Sequence, residues 1–316
     1  MYSVRIAYTL GDLAGIGEEI FYKFSEEYKD CPSLEITLID KKLDYQTTQN
    51  KIKAGQASAQ AGEHSFKVLE YANQAIINGE FDYLITGPVA KESLWLAGIQ
   101  CSGQTELLAE LNQLSRDDIE MFFILDNLRV VLATRHIPIA QVSDTLKSRL
   151  STVFSNSVTA LKQIWNISAP RIAVAGLNPH AGENGILGNE EKLFIKPSIE
   201  NFRQLNPQVE ISGPYPADSL FAKAAQEYLK VNSHPSPINQ FDLYIAAYHD
   251  QVLPLIKGIG GLKAINLTSG LPYIRLSVDH GTGFDIVGQN IANPEGLYAC
   301  TRYCLERDNI GVSGKN

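Results

Sequence analysis

The chain is short of every feature that would staple a fold or tie it to a charged polymer. It has four cysteines in 316 residues, Cys31, Cys101, Cys300 and Cys304, and only the last two are close together. A disulfide framework or a zinc knuckle needs denser, regularly spaced thiols, so these read as ordinary thiols of a reducing cytoplasm. No apolar run is long enough to span a bilayer. The first ten residues, MYSVRIAYTL, lack the basic-then-apolar pattern of a leader, and the expectation is a cytoplasmic protein whose first strand begins almost at once. Positive charge is in deficit: 27 Lys and Arg against 35 Asp and Glu leave a net charge of -8, which argues against nucleic acid or an anionic membrane as partner. The common short motifs are missing too. There is no G-x-G-x-x-G fingerprint, Walker loop, G-x-S-x-G elbow or C-x-x-C pair.

What remains is a chain that is 44% apolar, enough for a substantial core in two lobes or one large α/β unit. Strand-like and helix-like segments alternate. Val4–Thr9 reads as a strand, Gly11–Gly17 as a tight glycine turn and 18–28 as a helix. A second strand is expected over 34–39 and an amphipathic helix over 58–77, on which His64 is a solvated or packing residue. Further strands are expected at 83–86, 121–126, 129–134, 171–176 and 243–248, and helices at 147–165, 191–205 and 294–308. Ser102 before a short helix is an N-cap or, with Gly103 and Thr105, an anion cradle. Gly213–Leu220 reads as a turn into a helix, and 231–240, with His234, as a polar loop.

Two constellations carry chemistry. Lys257, Asn266 and Arg275 stand too far apart for one helix face, so each is expected at a different strand end or turn. Two cations and an amide converging from separate elements suit an anion, phosphate above all. His136, His180 and His249 each come just after an apolar strand. In an open α/β sheet such points gather along one edge. A hydrogen-bonded structural role is the simpler reading of any one of them; three in the same context point to a metal site with open positions.

TGPVAKES, RHIPIA, GLNPHAGENG, GPYPADSLF, AAYHDQVLPLIK, INLTSGLPYIR and SVDHGTGFDI, in this order, resemble the 4-hydroxythreonine-4-phosphate dehydrogenases of pyridoxal 5'-phosphate synthesis over nearly the whole chain. HGTGFDIVGQNIANP is also similar to the cofactor loop of isocitrate and isopropylmalate dehydrogenases. The resemblance implies a two-lobed α/β/α fold of that type with its active site in the interlobe cleft. Residues 1–130 with 271–316 would form the cofactor lobe, and 131–270 the metal, substrate and dimer lobe. It implies a homodimer with shared active sites. His136, His180 and His249, contributed by both chains, would hold one divalent ion, zinc, cobalt or magnesium. Gln104, Thr105, Lys257, Asn266 and Arg275 would bind the phosphorylated substrate. Asp218 and Asp250 would keep the site in order, with Lys257 the third catalytic candidate. His280, Gly281, Thr282 and Asp285 would lie along NAD or NADP. The implied reaction is oxidation at C3 followed by loss of carbon dioxide, giving 3-amino-2-oxopropyl phosphate.

One departure touches the chemistry. The family usually has histidine where this chain has Gln104, and glutamine cannot be cationic; a weaker or shifted substrate preference is expected. Leu13 and Glu18 replace common prolines and alter only how the first helix begins. The alternatives are a related dehydrogenase of 4-phosphothreonate or 4-phosphoerythronate, a phosphate acyltransferase on a related fold, and a non-catalytic phosphometabolite binder.

Overall fold

The computed structural model describes residues 3–231 and 240–308. His234 and the tail from Gly311 lie outside the described residues. In chain order the elements are β1 (Val4–Thr9), α1 (Gly17–Tyr28), β2 (Leu34–Leu38), α2 (Tyr45–Gln49), α3 (Ala59–Ile77), β3 (Tyr83–Thr86), α4 (Lys91–Leu96) and α5 (Gln104–Leu111). Next come β4 (Glu120–Leu125), β5 (Leu128–Leu132), α6 (Val142–Trp165), β6 (Arg171–Ala175), α7 (Lys196–Leu205), β7 (Glu210–Tyr215), α8 (Ala217–Val231), β8 (Leu243–Ala246) and α9 (Leu253–Gly260). The chain returns through β9 (Ile265–Ser269), β10 (Ile274–Val278) and α10 (Glu295–Arg307).

These form an α/β fold with mixed strands, divided into two compact units, Met1–Arg116 with Ile265–Asn316 and Asp117–Ala264. Both β4 and β5 therefore belong to the second unit. In the first unit the strand order is β2-β1-β3-β10-β9, all parallel except β9, which runs antiparallel to β10. In the second it is β4-β5-β8-β6-β7, all parallel after the β4–β5 antiparallel pair.

The central parallel strands are buried on both faces, which is why YLIT and LYIA are continuous rather than alternating apolar runs. The second unit's core joins Phe123, Val130, Ala173 and Tyr244 to Phe221 of α8 and Ile256 of α9. Helix ends follow local chemistry. Ser58 caps α3 by accepting from Ala61 N. Asn166 takes the left-handed conformation that closes α6.

Several expectations shift. The long middle helix begins at Val142, five residues before its expected start, and the helix expected from Glu191 opens with a π-turn, Glu191–Ile195, before α7. Glu210–Tyr215 is a strand, not part of a turn. Its Gly213 and Pro214 suggest a loop, but β7 is the outermost strand of its unit, where proline breaks no ladder. Lys257 lies within α9, and Asn266 and Arg275 lie inside adjacent strands rather than at separate ends or turns. His64 is buried, hydrogen-bonded to Asp40 Oδ1 at 2.9 Å, so the packing half of that expectation holds and the solvated half does not.

Gly62 is the contact point of α3 and α4: a Cβ there would meet Ser93 O at 1.9 Å. Alanine at a helix position ordinarily stabilises by about 1 kcal/mol over glycine. Gly62→Ala is expected to do the reverse, lowering the melting temperature by several degrees, as read by differential scanning calorimetry.

Candidate functional site

β5, β8 and β6 are neighbours and parallel, so their carboxyl ends share one edge of the second unit. His136, His180 and His249 follow those three ends. The edge is tied together by side chains. Gln251 accepts from Ala247 N and donates to Gly176 O, both at 2.7 Å, joining the ends of β8 and β6. Thr134 Oγ1 donates to Ala247 O at 2.7 Å, joining β5 to β8.

On this frame the His136 and His249 rings stand with centroids 5.8 Å apart. His249 Nδ1 donates to Asp250 Oδ1 at 2.6 Å, which leaves Nε2 as the free nitrogen. The spacing suits two imidazole nitrogens each about 2.0–2.1 Å from one ion. His180 sits apart on an exposed left-handed turn, and among the described residues no three of His, Cys, Asp and Glu come together as a metal-holding group. One chain thus offers two of the three histidines at one point. Asp218 is exposed in the first turn of α8, hydrogen-bonded by Ser219, and Lys257 is exposed on α9.

The first unit holds a second cluster. Strand register aligns Thr9 with Thr86, Thr86 with Ser277 and Ser277 with Asn266, a polar row on one face across β1, β3, β10 and β9. All four residues are buried, and among the described residues Thr9 Oγ1 and Asn266 Oδ1 have no hydrogen-bond partner. Two residues before Ser277 on the same face is Arg275, 2% exposed. Every acceptor around its guanidinium is neutral. Thr86 Oγ1 takes Nε at 3.1 Å and Nη2 at 2.6 Å, Thr105 and Thr268 take Nη1 at 3.2 Å each, and Gln104 Oε1 takes Nη2 at 3.4 Å.

Burial pushes this group down to about 10, yet it remains cationic at neutral pH. A buried charge costs several kcal/mol unless an opposite charge offsets it. Each threonine that accepts from the guanidinium keeps its own hydroxyl proton to donate onward. Thr105 also lies in the first turn of α5, where backbone N–H groups and the helix dipole favour an anion. The anion-cradle alternative therefore fits the segment better than a Ser102 cap: the N-cap is Gly103, with no side-chain capping bond. Gln104 spends its amide on Gly87 O at 2.9 Å.

At the same carboxyl edge the loop after β10, with His280, Gly281, Thr282 and Asp285, packs on the glycine turn after β1. Ile16 N donates to Thr282 O at 2.9 Å, and a Cβ on Gly15 would meet that same oxygen at 2.6 Å.

A family model described as pyridoxal phosphate biosynthetic protein PdxA matches residues 18–304. The chain belongs to this family. It is 37% identical to a 4-hydroxythreonine-4-phosphate dehydrogenase of Nostoc sp., covering 92% of this chain and 90% of that one. It is 35% identical to a D-threonate 4-phosphate dehydrogenase of Pectobacterium atrosepticum, covering 92% and 95%. A crystal structure of the 4-hydroxythreonine-4-phosphate dehydrogenase from Klebsiella pneumoniae superposes with a TM-score of 0.80 at 31% identity, covering 96% and 99%.

Within the PdxA framework, the structure brings Gln104, Thr105 and Arg275 into one hydrogen-bonded cluster and sets Asn266 on the adjacent strand. Sequence reading placed Gln251 at the carboxyl end of its strand but passed over Thr86 and Thr268. The available signal was a polar residue ending or interrupting an apolar strand, as in YLIT and INLTS, where a hydroxyl must find a partner.

Because the acceptors of the Arg275 guanidinium among the described residues are all neutral, its burial adds little to stability. Arg275→Met is expected to leave the melting temperature without added anion within a few degrees of the parent or above it. The stabilisation that inorganic phosphate gives the parent should vanish in the variant, as read by thermal-shift titration.

Proposed function

We propose that the protein oxidises and decarboxylates 4-(phosphooxy)-L-threonine to 3-amino-2-oxopropyl phosphate with NAD or NADP, a step of pyridoxal 5'-phosphate (vitamin B6) biosynthesis. The single observation that carries this reading is the buried Arg275, sheathed by hydroxyls and lacking any carboxylate bond, inside a chain of this family. Its charge is left for a ligand to neutralise, and phosphate matches that need.

In this reading Thr86, Thr105 and Thr268 donate hydroxyl protons toward the phosphate while Arg275 supplies the field behind them. Asn266 Oδ1, an orphaned acceptor, takes a donor from the substrate. Lys257 is the second cation for the substrate's anionic groups. The loop carrying His280, Gly281, Thr282 and Asp285 lines NAD or NADP, which takes the hydride from C3. His136 and His249, with His180 of a second copy, hold a divalent ion such as zinc, cobalt or magnesium. An ion held there would supply Lewis-acid chemistry at the substrate's C3 oxygen. Asp250 fixes the His249 ring through Nδ1, and Asp218 stays with the site as an ordering carboxylate. A homodimer completes this set; Ile139, Ile186, Leu187 and Leu193, all exposed, flank the His136 and His180 segments and are suited to cover by the second copy. The two-lobed, isocitrate dehydrogenase-like arrangement, with the first unit on the cofactor side, is part of the same proposal.

A second reading has specific support. A D-threonate 4-phosphate dehydrogenase stands among the relatives at nearly the same identity, and Gln104 is neutral. The two substrates differ in an amino or hydroxyl group at C2. Nicotinamide reduction measured with each substrate separates them. The proposed enzyme turns over 4-(phosphooxy)-L-threonine with the higher kcat/KM, loses activity to a chelator and recovers it with zinc, cobalt or magnesium. Preference for D-threonate 4-phosphate selects the second reading, and turnover of neither rejects both.

Gln104→His places a titratable donor beside the anion cluster. Its expected effect is a several-fold lower KM for the preferred phosphorylated substrate at pH 6, fading by pH 8 as the imidazole loses its proton. An unchanged KM across that range means Gln104 does not set affinity.

A further inference from the structure

The segment that carries His180 is the most contorted backbone in the second unit. His180, Ala181, Gly182, Glu183 and Asn184 all have positive φ, a left-handed turn that only glycine and, less often, asparagine adopt readily. Such a run persists only where its surroundings impose it. Within the run, Leu187 N donates to Gly182 O and Lys192 Nζ to Asn184 O; its entry is held by a buried carboxylate. Glu191, 5% exposed, reaches back from the start of the π-turn that precedes α7. Its Oε1 accepts from two successive backbone groups, Leu177 N at 2.9 Å and Asn178 N at 2.8 Å, and its Oε2 accepts from Asn178 Nδ2 at 2.9 Å. Glu190 Oε2 accepts from the same Asn178 Nδ2 at 2.8 Å. The space beside the carboxylate is kept open by glycines. A Cβ on Gly182 would meet Glu191 Oε2 at 2.5 Å, and one on Gly176 would meet Oε1 at 3.1 Å.

We propose that Glu191 is a positioning residue for the reaction: its carboxylate is the template on which the left-handed turn is wound, and through that turn it sets where His180 is presented. The inference rests on His180 being a metal ligand, as read above. Glutamine is not an acceptable substitute in either orientation. With its NH2 group at Oε2 it faces the Asn178 amide, which cannot turn over because Glu190 holds the same nitrogen. With the NH2 group at Oε1 it faces two backbone N–H groups. A carboxylate bonded to the backbone two residues before the ligand therefore acts as an outer support of the site, and changes of that kind commonly cost roughly ten- to a hundredfold in metal affinity.

The test uses the full chain stripped of metal and titrated with cobalt(II), followed by calorimetry and by the visible absorption of the bound ion. Glu191→Gln is expected to bind cobalt about tenfold or more weakly than the parent, with an unchanged far-ultraviolet circular dichroism spectrum, and to regain turnover at raised cobalt. Gly182→Ala, which leaves Glu191 in place and disturbs the same turn, is expected to give the same shift, and decides the matter if Glu191→Gln does not fold. In a His180→Ala background the Glu191→Gln effect should disappear, because both changes act through the same ligand. Parent-like cobalt affinity in Glu191→Gln while His180→Ala weakens binding overturns the role of Glu191 alone. So does a Glu191→Gln effect of full size in the His180→Ala background. Parent-like affinity in His180→Ala overturns the metal assignment, and the proposal with it.

Discussion

The structure turns on a cation that water cannot reach. Arg275 lies inside a parallel strand of the first unit, surrounded by threonine hydroxyls and one glutamine oxygen. A fold selected only for stability would pair such a group with a carboxylate or replace it with an apolar side chain. Holding it with neutral oxygens keeps the charge in place and unspent. It also fixes the neighbours: Thr86 must end β3, Thr268 must face Arg275 across the β9–β10 pair, and Thr105 must open α5. The antiparallel course of β9 brings Asn266 to the carboxyl edge alongside Ser277 and completes the polar row.

The second unit solves a different problem with the same architecture. Parallel strands place their carboxyl ends side by side, so residues far apart in sequence, His136 and His249, become neighbours. The edge is held by Gln251, which bonds Ala247 N and Gly176 O, and by Thr134, whose hydroxyl adds a second bond to Ala247 O. The strand ends bring the His136 and His249 rings together, and the Glu191 bonds hold Leu177 and Asn178 at the entry to the strained turn that starts at His180.

Much of this was legible in the sequence. Continuous apolar runs marked β3 and β8, and the polar residues after them marked the edge. The family motifs named Gln104, Thr105 and Arg275, which do meet. What the sequence hid has physical causes. β7 contains Gly213 and Pro214, tolerated because the strand is outermost, and no local pattern announces an edge position. Thr86 and Thr268 look like ordinary strand threonines until register sets them against Arg275. His180 shares its sequence context with the other two histidines, yet it opens a run of five left-handed residues and no group of three forms among the described residues; the entry to that run is bonded by Glu191, eleven positions later. Long-range side-chain bonds of this kind leave no periodic trace.

The most direct test of the central claim is a crystal structure of the protein with 4-(phosphooxy)-L-threonine bound. The account predicts phosphate density against the hydroxyls of Thr86 and Thr105 and the first turn of α5, within reach of the Arg275 field. Phosphate seated elsewhere, with the Arg275 cluster unchanged and no anion beside it, would contradict the claim that this buried charge exists to be neutralised by substrate.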